Sequence, residues 1–204
     1  MKQAIIIGYS GHSFVVLDML QLNEYTIKGY YEKSIKSINP FNLNYLGSEE
    51  NLEKIETDIA IFITTGDNHT RNKIFENLSR YSEQMPPLFH PKSMVAKTVK
   101  IGNASVIMPG CVINAFSIIG NGVICNTGSI VEHECIICDF SHIAPGAVLA
   151  GGVFIGSNSF IGANTVIKQG VKVGNNVIVG AGSVIIKDVA DNSIVYGNPS
   201  KYRI

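Results

Sequence analysis

An apolar residue recurs at every sixth position through the second half of the chain, without a break from Val95 to Ile185. A period of six fits neither the 3.6-residue repeat of a helix nor the two-residue repeat of a strand. It predicts short strands separated by turns, three to a coil of eighteen residues, stacked into a parallel β-helix. The members of this series are Val95, Ile101, Ile107, Ile113, Ile119, Cys125, Val131, Ile137, Ile143, Leu149, Ile155, Ile161, Ile167, Val173, Val179 and Ile185.

A second series lies two residues before the first and consists of small or β-branched residues such as Ser105, Ser117 and Ala147. Both series are predicted to point into the coil. Glycine or asparagine often follows the apolar position, as at Gly102 and Gly120. We predict a positive φ at these corners, because glycine and asparagine adopt left-handed backbone most readily.

Residues 1–90 carry a different pattern, in which apolar runs alternate with helix-like stretches. Strands are predicted over 4–7, 27–31 and 59–64, and helices over 14–20 and 68–81. Alternating strands and helices are typical of a small Rossmann-like α/β domain with a parallel sheet. The sequence therefore predicts an α/β domain over 1–90 and a β-helix with a C-terminal tail over 91–204.

Composition excludes several classes of partner. Of 204 residues, 46% are apolar and 16% charged, and sixteen basic side chains balance sixteen acidic ones. Without a run of like charges, nothing predicts binding to nucleic acid or to an anionic membrane. No segment has the length of a membrane span or of a signal-peptide core, and four cysteines are too few for a disulfide scaffold. We expect a cytoplasmic protein that does not insert into membranes.

Two short motifs need interpretation. The turn from Gly8 to Gly11 precedes a predicted helix, where backbone N–H groups stabilise a phosphate. Because Ser13 replaces the last glycine of the dinucleotide fingerprint, a nicotinamide cofactor is disfavoured, and a turn without any ligand is an alternative. The pair Cys135 and Cys138 has the spacing of a metal or redox motif, but Cys135 occupies an inward position, so no metal is predicted.

The segment Glu132-His133-Glu134 carries the clearest chemical signal. His133 falls two residues after the inward Val131 and therefore lies at a corner of the coil. An imidazole there can accept the proton of an amine or hydroxyl that attacks a thioester. An ordinary exposed histidine is the alternative. His142 lies half a coil further on, and spacing alone does not decide whether the two histidines meet.

Around these residues the chain resembles the sialic-acid O-acetyltransferase-like sugar acyltransferases, most of all the members that N-acetylate UDP-linked 4-amino sugars in bacillosamine synthesis. The similarity covers nearly the full length. The motifs that carry it are Gly8-Tyr9-Ser10-Gly11-His12, Gly66-Asp67-Asn68, Val112-Ile113-Asn114-Ala115, Asn126-Thr127, Glu132-His133-Glu134-Cys135, Phe140-Ser141-His142 and Gly197-Asn198-Pro199-Ser200-Lys201.

The resemblance implies a left-handed β-helix, a homotrimer with three active sites between subunits, and acetyl-CoA as co-substrate. Because a thioester is already activated, neither a metal nor a covalent enzyme intermediate is expected. It implies His133 as the general base, supported by Glu134. Contacts to acetyl-CoA are expected from His142, Gly151, Ala163 and Ala181. Contacts to the nucleotide sugar are expected from Ser10, Gly11, His12, Glu32, Lys33, Gly66, Asn68 and Asn126.

One departure from the family concerns the end of the second strand, where two aspartates usually meet the nucleotide and this chain has Tyr31-Glu32-Lys33. The nucleotide therefore stays open at this stage. The favoured prediction is N-acetylation of the 4-amino group of a nucleotide-linked 4-amino-4,6-dideoxy sugar, with UDP as the expected nucleotide. The alternatives are O-acetylation of sialic acid or another sugar hydroxyl, and a non-catalytic trimeric scaffold that binds nucleotide sugars.

Overall fold

The structure is a computed structural model that describes residues 2–48, 50, 52 and 55–202. An α/β domain comes first and is followed by a β-helix. The elements of the first domain are β1 (Lys2–Ile7), α1 (Gly11–Leu22), β2 (Tyr25–Tyr31), β3 (Tyr45–Gly47), β4 (Ile59–Ile63), α2 (Asn68–Asn77) and a 3₁₀ helix (Ser79–Gln84).

The four strands of the first domain form a parallel sheet in the order β3-β2-β1-β4. β1 is central because Ala4 and the three isoleucines after it are buried on both faces of the sheet. Helix α1 packs on one face and α2 on the other. The predicted α/β domain is therefore confirmed.

Two details of this domain differ from the sequence prediction. Strand β3 was not predicted, because its residues are exposed or half-buried and show no apolar alternation. Helix α2 ends at Asn77 rather than at residue 81, because Leu78 has φ −104° and ψ 16°, outside the helical range. The chain continues as a 3₁₀ helix from Ser79.

The β-helix is a triangular prism, and each of its three faces is a β-sheet. The faces are named here in the order in which the chain visits them. Up to the strand at Val166–Ile167, each strand pairs with the strand eighteen residues further on, for example Ile124 with His142. Near the C-terminal end the spacing shortens to sixteen residues, as between Ile178 and Ile194. Face I contains β5 (Leu88–Phe89), β8 (Val106–Ile107), β11 (Ile124–Cys125), β14 (His142–Ile143), β17 (Phe160–Ile161), β20 (Ile178–Val179), β22 (Ile194–Tyr196) and the antiparallel β23 (Lys201–Tyr202). Face II contains β6 (Met94–Val95), β9 (Val112–Ile113), β12 (Ile130–Val131), β15 (Val148–Leu149), β18 (Val166–Ile167) and β21 (Val184–Ile185). Face III contains β7 (Lys100–Ile101), β10 (Ile118–Ile119), β13 (Ile136–Ile137), β16 (Phe154–Ile155) and β19 (Lys172–Val173).

Both predicted inward series line the interior of the prism. The apolar positions from Ile107 onward form one continuous buried cluster. The serines of the second series are fully buried. Four of them donate to carbonyls of the next coil, as Ser105 Oγ does to Gly120 O at 2.7 Å and Ser141 Oγ to Gly156 O at 2.7 Å. Satisfying these hydroxyls internally allows polar residues in a dry core.

The prediction of a positive φ at the residue that follows the apolar position is wrong at Gly102 and Gly120. Positive φ occurs two residues after Gly102 and Gly120, at Ala104 (φ 56°) and Gly122 (φ 59°). Glycine is required at Gly102 for a different reason. A Cβ there would lie 2.6 Å from the carbonyl carbon of Gly120 in the next coil. Where glycine follows the apolar position, as at Gly102, it therefore allows neighbouring coils to approach closely.

The two domains are joined through α2. Arg71 is fully buried, and its guanidinium donates to Gly122 O at 2.6 Å and Phe140 O at 2.9 Å on the prism. Asn68 donates to Asn158 O at 3.1 Å. These contacts fix the α/β domain against face I.

Candidate active site

The corner between faces II and III presents the segment Glu132-His133-Glu134 after β12. His133 Nδ1 lies 3.1 Å from Glu134 Oε2, and the two side chains are 53% and 69% exposed. A carboxylate at Nδ1 favours the tautomer with hydrogen on Nδ1, which leaves the lone pair of Nε2 free. The structure therefore places an accessible imidazole at the corner, held by the carboxylate that the sequence analysis paired with it.

Glu132 is anchored by a residue that the sequence analysis did not select. Asn114 Nδ2 donates to Glu132 Oε2 at 2.9 Å. Asn114 precedes Glu132 by eighteen residues, one full coil, so the two occupy the same corner position in successive coils. The eighteen-residue period was therefore the signal that could have identified Asn114.

Gly151 lies one coil beyond His133 at the same corner, directly against the imidazole ring. The glycine is buried, although the following residue, Gly152, is exposed. Within the described chain, the Gly151 N–H donates to no other group. A free backbone donor on the residue that the imidazole contacts is suited to stabilise negative charge on a reacting oxygen.

His142 is on β14 of face I, where the α/β domain leaves it only 8% exposed. Asn126 Oδ1 accepts from the Thr127 N–H at 2.7 Å, so its Nδ2 is the donor to His142 Nε2 at 2.9 Å. Burial, followed by the charge of Arg71 and the proximity of His12, lowers the pKa of His142 to about 3. His142 is therefore neutral near pH 7, with its hydrogen on Nδ1.

His12 lies in the first turn of α1, opposite His142, with 6.5 Å between the ring centroids. Burial and, to a smaller extent, Arg71 lower the pKa of His12 to about 4. Both imidazoles are thus uncharged at neutral pH. Asn126, His12 and His142 form a polar cluster at the junction of the two domains.

The turn between β1 and α1 borders a cavity of about 270 Å³, walled by Ser10, Gly11, Phe14 and residues 36–38. The backbone N–H groups at the start of α1 lie beside it. Such a helix start stabilises an anionic group by its N–H donors and its dipole.

The side chain of Glu32 is hydrogen-bonded to this turn. Its carboxylate accepts from the Tyr9 N–H at 3.2 Å and forms an ion pair with Lys36 Nζ at 3.2 Å. Partial burial opposes ionisation, but the N–H groups of Tyr9 and Lys33 and the charge of Lys36 lower the pKa of Glu32 overall. The side chain of Lys33 is exposed, whereas Lys36, which the sequence analysis did not select, lies on the cavity wall.

Gly66 and Asn68 border a second cavity, of about 350 Å³, between the start of α2 and the Phe160 and Ile178 side chains of face I. Both polar atoms of the Asn68 side-chain amide are hydrogen-bonded within the protein. Nδ2 donates to Asn158 O on the prism, and Oδ1 accepts from Arg71 Nη2 at 2.8 Å. Asn68 therefore fixes the domain junction in this structure.

The selected residues fall into two separate groups on the prism. His133, Glu134 and Gly151 share the corner between faces II and III. Ala163 and Ala181 lie with Asn126 at the corner between faces I and II. The outer surface of face II separates the two corners, so one chain alone does not bring these groups together.

Neither cysteine of the Cys135–Cys138 pair has a metal-site environment. Cys135 is buried in the prism and its Sγ donates to Ala150 O at 3.3 Å. Across residues 2–48, 50, 52 and 55–202, no three His, Cys, Asp or Glu side chains are grouped to hold a metal ion. In the same described ranges, no helix has both the length and the apolar character to cross a membrane.

Two family models match the chain. The PglD N-terminal domain matches residues 3–78, and the bacterial transferase hexapeptide family, with six repeats, matches residues 152–187. Both matches agree with the division into an α/β domain and a prism.

Solved structures match over the full length. The acetyltransferase domain of PglB from Neisseria gonorrhoeae, in complex with acetyl coenzyme A, is 33% identical, with 99% of each chain covered and a TM-score of 0.93. A mutant of perosamine N-acetyltransferase from Caulobacter crescentus, in complex with CoA and GDP-perosamine, is 29% identical. That comparison covers 98% of this chain and 96% of the other, with a TM-score of 0.87.

Among curated proteins, UDP-N-acetylbacillosamine N-acetyltransferase of Bacillus subtilis is 29% identical over 112 residues, which are 53% of this chain and 52% of the relative. The chain spans about half the length of the curated relatives it matches.

Proposed function

The chain belongs to the family of hexapeptide-repeat acetyltransferases that carry a PglD N-terminal domain, and from this premise we propose its reaction. The chain transfers the acetyl group of acetyl-CoA to the 4-amino group of a nucleotide-linked 4-amino-4,6-dideoxy sugar. The observation that carries the proposal is the exposed His133–Glu134 pair, with Nε2 of the imidazole free.

His133 acts as the general base. The amine nitrogen attacks the thioester carbon and loses a proton to His133 Nε2 as the C–N bond forms. Glu134 at Nδ1 stabilises the imidazolium that results. The C–S bond then breaks and the CoA sulfur leaves. Because the thioester is already activated, the reaction needs neither a metal nor a covalent enzyme intermediate.

The N–H of Gly151 is suited to the oxygen of the tetrahedral intermediate. Gly151 is the residue that the imidazole contacts, and within the described chain no acceptor occupies its N–H. A preorganised backbone donor of this kind lowers the barrier by stabilising the charge that develops on oxygen. Acetyl-CoA would then extend from this corner, with Ala163 and Ala181 of a neighbouring copy providing small surfaces along its path.

The nucleotide sugar is proposed to bind at the turn between β1 and α1. Its diphosphate meets the N–H groups around Ser10 and Gly11, and the cavity beside Phe14 and residues 36–38 receives the nucleoside. We keep UDP as the proposed nucleotide, with Lys36 and the Glu32 carboxylate at the rim. His12 and Asn126 then face the sugar from the domain junction. The proposed location of the protein is the cytoplasm, where both co-substrates are made.

A homotrimer completes the site. The outward positions of face II are all apolar, and no part of the described chain covers Met94, which is 62% exposed, or Val166, which is 43% exposed. The outward positions of face III, in contrast, include Lys100 and Lys172. Packing face II of three copies around a common axis buries this stripe and brings the corner of His133 toward the Asn126 corner of the next copy. The outward residues of face II are Met94, Val112, Ile130, Val148, Val166 and Val184.

Thiol release from acetyl-CoA tests the proposed reaction. The acceptors are UDP-4-amino-4,6-dideoxy-N-acetylglucosamine, GDP-perosamine, and the matching UDP-sugar with a hydroxyl at C4. We expect turnover of the UDP-linked amine and a drop in kcat of about 100-fold or more in His133→Ala, the usual scale of general-base catalysis. Turnover of the hydroxyl compound alone would replace N-acetylation by O-acetylation, and turnover of no acceptor would contradict the proposal.

A further inference from the structure

Gly151 is buried at a corner of the prism because the imidazole of His133 lies on it. A Cβ added to Gly151 would be 2.5 Å from Cε1, 2.6 Å from Nε2 and 3.2 Å from Nδ1 of His133. Carbon atoms of a protein interior do not approach one another this closely. The ring edge that contains the free nitrogen therefore occupies the space that a side chain at position 151 would fill.

The fold itself does not require glycine at this position. Gly151 is not among the residues with positive φ. In the other coils the same corner position holds residues with side chains, Ala115, His133, Gln169 and Lys187. In the coil that follows His133, a side chain at this corner position would collide with the imidazole.

The imidazole is fixed by two contacts, one at Nδ1 and one along the neighbouring Cε1–Nε2 edge. Nδ1 faces Glu134 Oε2 at 3.1 Å, and the Cε1–Nε2 edge rests on the bare Cα of Gly151. The carboxylate fixes the tautomer, and the glycine sets how far the ring tilts toward the next coil. Since more than half of the His133 side chain is exposed, these contacts decide its direction.

We propose that Gly151 is a positioning residue, whose missing side chain holds Nε2 of His133 in the direction needed for proton transfer. This role rests on the proposed function, because the direction of Nε2 matters to turnover only if His133 is the base. It is separate from any contact of the Gly151 N–H with the coenzyme, since alanine keeps that N–H.

Gly151→Ala moves the ring without disturbing the coil. The atoms in the way belong to the free end of a side chain, which rotates, whereas a Cβ at Gly156 would lie 2.5 Å from the backbone of Gly174. To regain ordinary van der Waals contact the ring must move by about 1 Å, and misplacement of a catalytic group by that distance costs about 100-fold in rate.

The kinetic test compares Gly151→Ala with Gly152→Ala, which adds the same methyl one residue further on, into open space. For Gly151→Ala we expect kcat to fall about 100-fold, with KM for acetyl-CoA changed by less than about threefold. Gly152→Ala is expected to retain kcat, although its φ of 66° makes alanine mildly strained there. A Gly151→Ala enzyme that keeps kcat within about threefold of the unmodified enzyme overturns the proposal.

A double-variant cycle separates positioning from direct contact with the coenzyme. If Gly151 acts through His133, adding Gly151→Ala to His133→Ala lowers kcat no further. An additional loss of about 100-fold in that background would assign the effect to the coenzyme instead. Calorimetric binding of acetyl-CoA to His133→Ala, with and without Gly151→Ala, should give the same Kd within about twofold.

The ring position can also be measured without turnover. In ¹H–¹³C spectra of the free enzyme, Gly151→Ala should shift the His133 ring resonances while those of His12 and His142 stay in place. Unchanged His133 resonances would refute the positioning role. If no acceptor is acetylated, the proposed function fails, and these spectra still decide whether Gly151 sets the ring.

Discussion

Three histidines of this chain, His12, His133 and His142, lie in different surroundings. His133 is exposed beside a carboxylate, whereas His12 and His142 are enclosed at the domain junction with the Arg71 guanidinium. Enclosure next to a cation disfavours the imidazolium. Near neutral pH, His12 and His142 are therefore neutral groups, which agrees with the proposal that His133 is the base.

We expect the two enclosed imidazoles to make the protein sensitive to acid. Their folded-state pKa values, about 4 and about 3, lie below the value near 6.5 of an unfolded chain. As the pH falls below 6.5, the unfolded chain binds protons that the folded chain excludes, so the free energy of unfolding decreases. Between pH 7.5 and 5.0 we expect a loss of about 2 kcal/mol for each imidazole.

Urea denaturation at the two pH values measures this loss. His142→Gln removes one of the two groups, so the decrease between pH 7.5 and 5.0 should shrink by about half relative to the unmodified protein. An equal decrease in both proteins would show that His142 is not the source of the acid sensitivity.

At the scale of single residues, the six-residue period predicted which side chains point out of the core, but not which groups they contact. His133 was placed at a corner because it follows Val131 by two residues, and the structure confirms that placement. Arg71 was not selected, because a cation within a polar helix is usually exposed, and its five hydrogen bonds join parts of the chain that only the docked domains bring together.

Among the elements, α2 joins the two domains through one buried side chain. Burial lowers the pKa of Arg71 to about 10, with partial compensation from Asp67, so the guanidinium stays charged. It donates to four backbone carbonyls and to Asn68 Oδ1. Because Gly122, Phe140 and Asn68 are buried, removing the donors leaves their acceptors without partners, which costs about 1–3 kcal/mol for each group.

Arg71→Met is therefore expected to lower the free energy of unfolding by about 3 kcal/mol or more. Arg80→Met, at an exposed arginine of the neighbouring 3₁₀ helix, is the matched control and should change it by less than about 0.5 kcal/mol. Both are measured by urea denaturation at one protein concentration. Equal effects of the two substitutions would contradict the role assigned to Arg71.

The repeat predicted the coils of the prism and the alternating pattern predicted the α/β domain, because burial imposes a period on the sequence. The corners were harder. The recurrence of glycine after the apolar position was visible in the sequence, but its cause at Gly102 was not, because that cause is the backbone of the next coil, eighteen residues away. Strand β3 was missed for a related reason, since an exposed edge strand needs no apolar alternation.

At the scale of the whole molecule, the candidate site is divided. The His133 corner and the Asn126 corner lie on either side of face II, whose outward residues are all apolar. Half-coil spacing in the sequence indicated that His133 and His142 lie on different parts of the coil, but whether a second copy joins them could not be predicted from the sequence of one chain. The central claim is that each active site combines the His133 corner of one copy with the Asn126 corner of the next.

Mixed trimers test this claim most directly. Chains with His133→Ala and chains with Asn126→Ala, each expected to be nearly inactive alone, are co-expressed and purified through two different tags, so that every trimer contains both. If each site takes one corner from each of two neighbouring copies, every mixed trimer keeps one intact site, and acetyl transfer should recover to about one third of the unmodified activity. Activity no greater than that of the separate variants would show that one chain supplies both corners and would contradict the account.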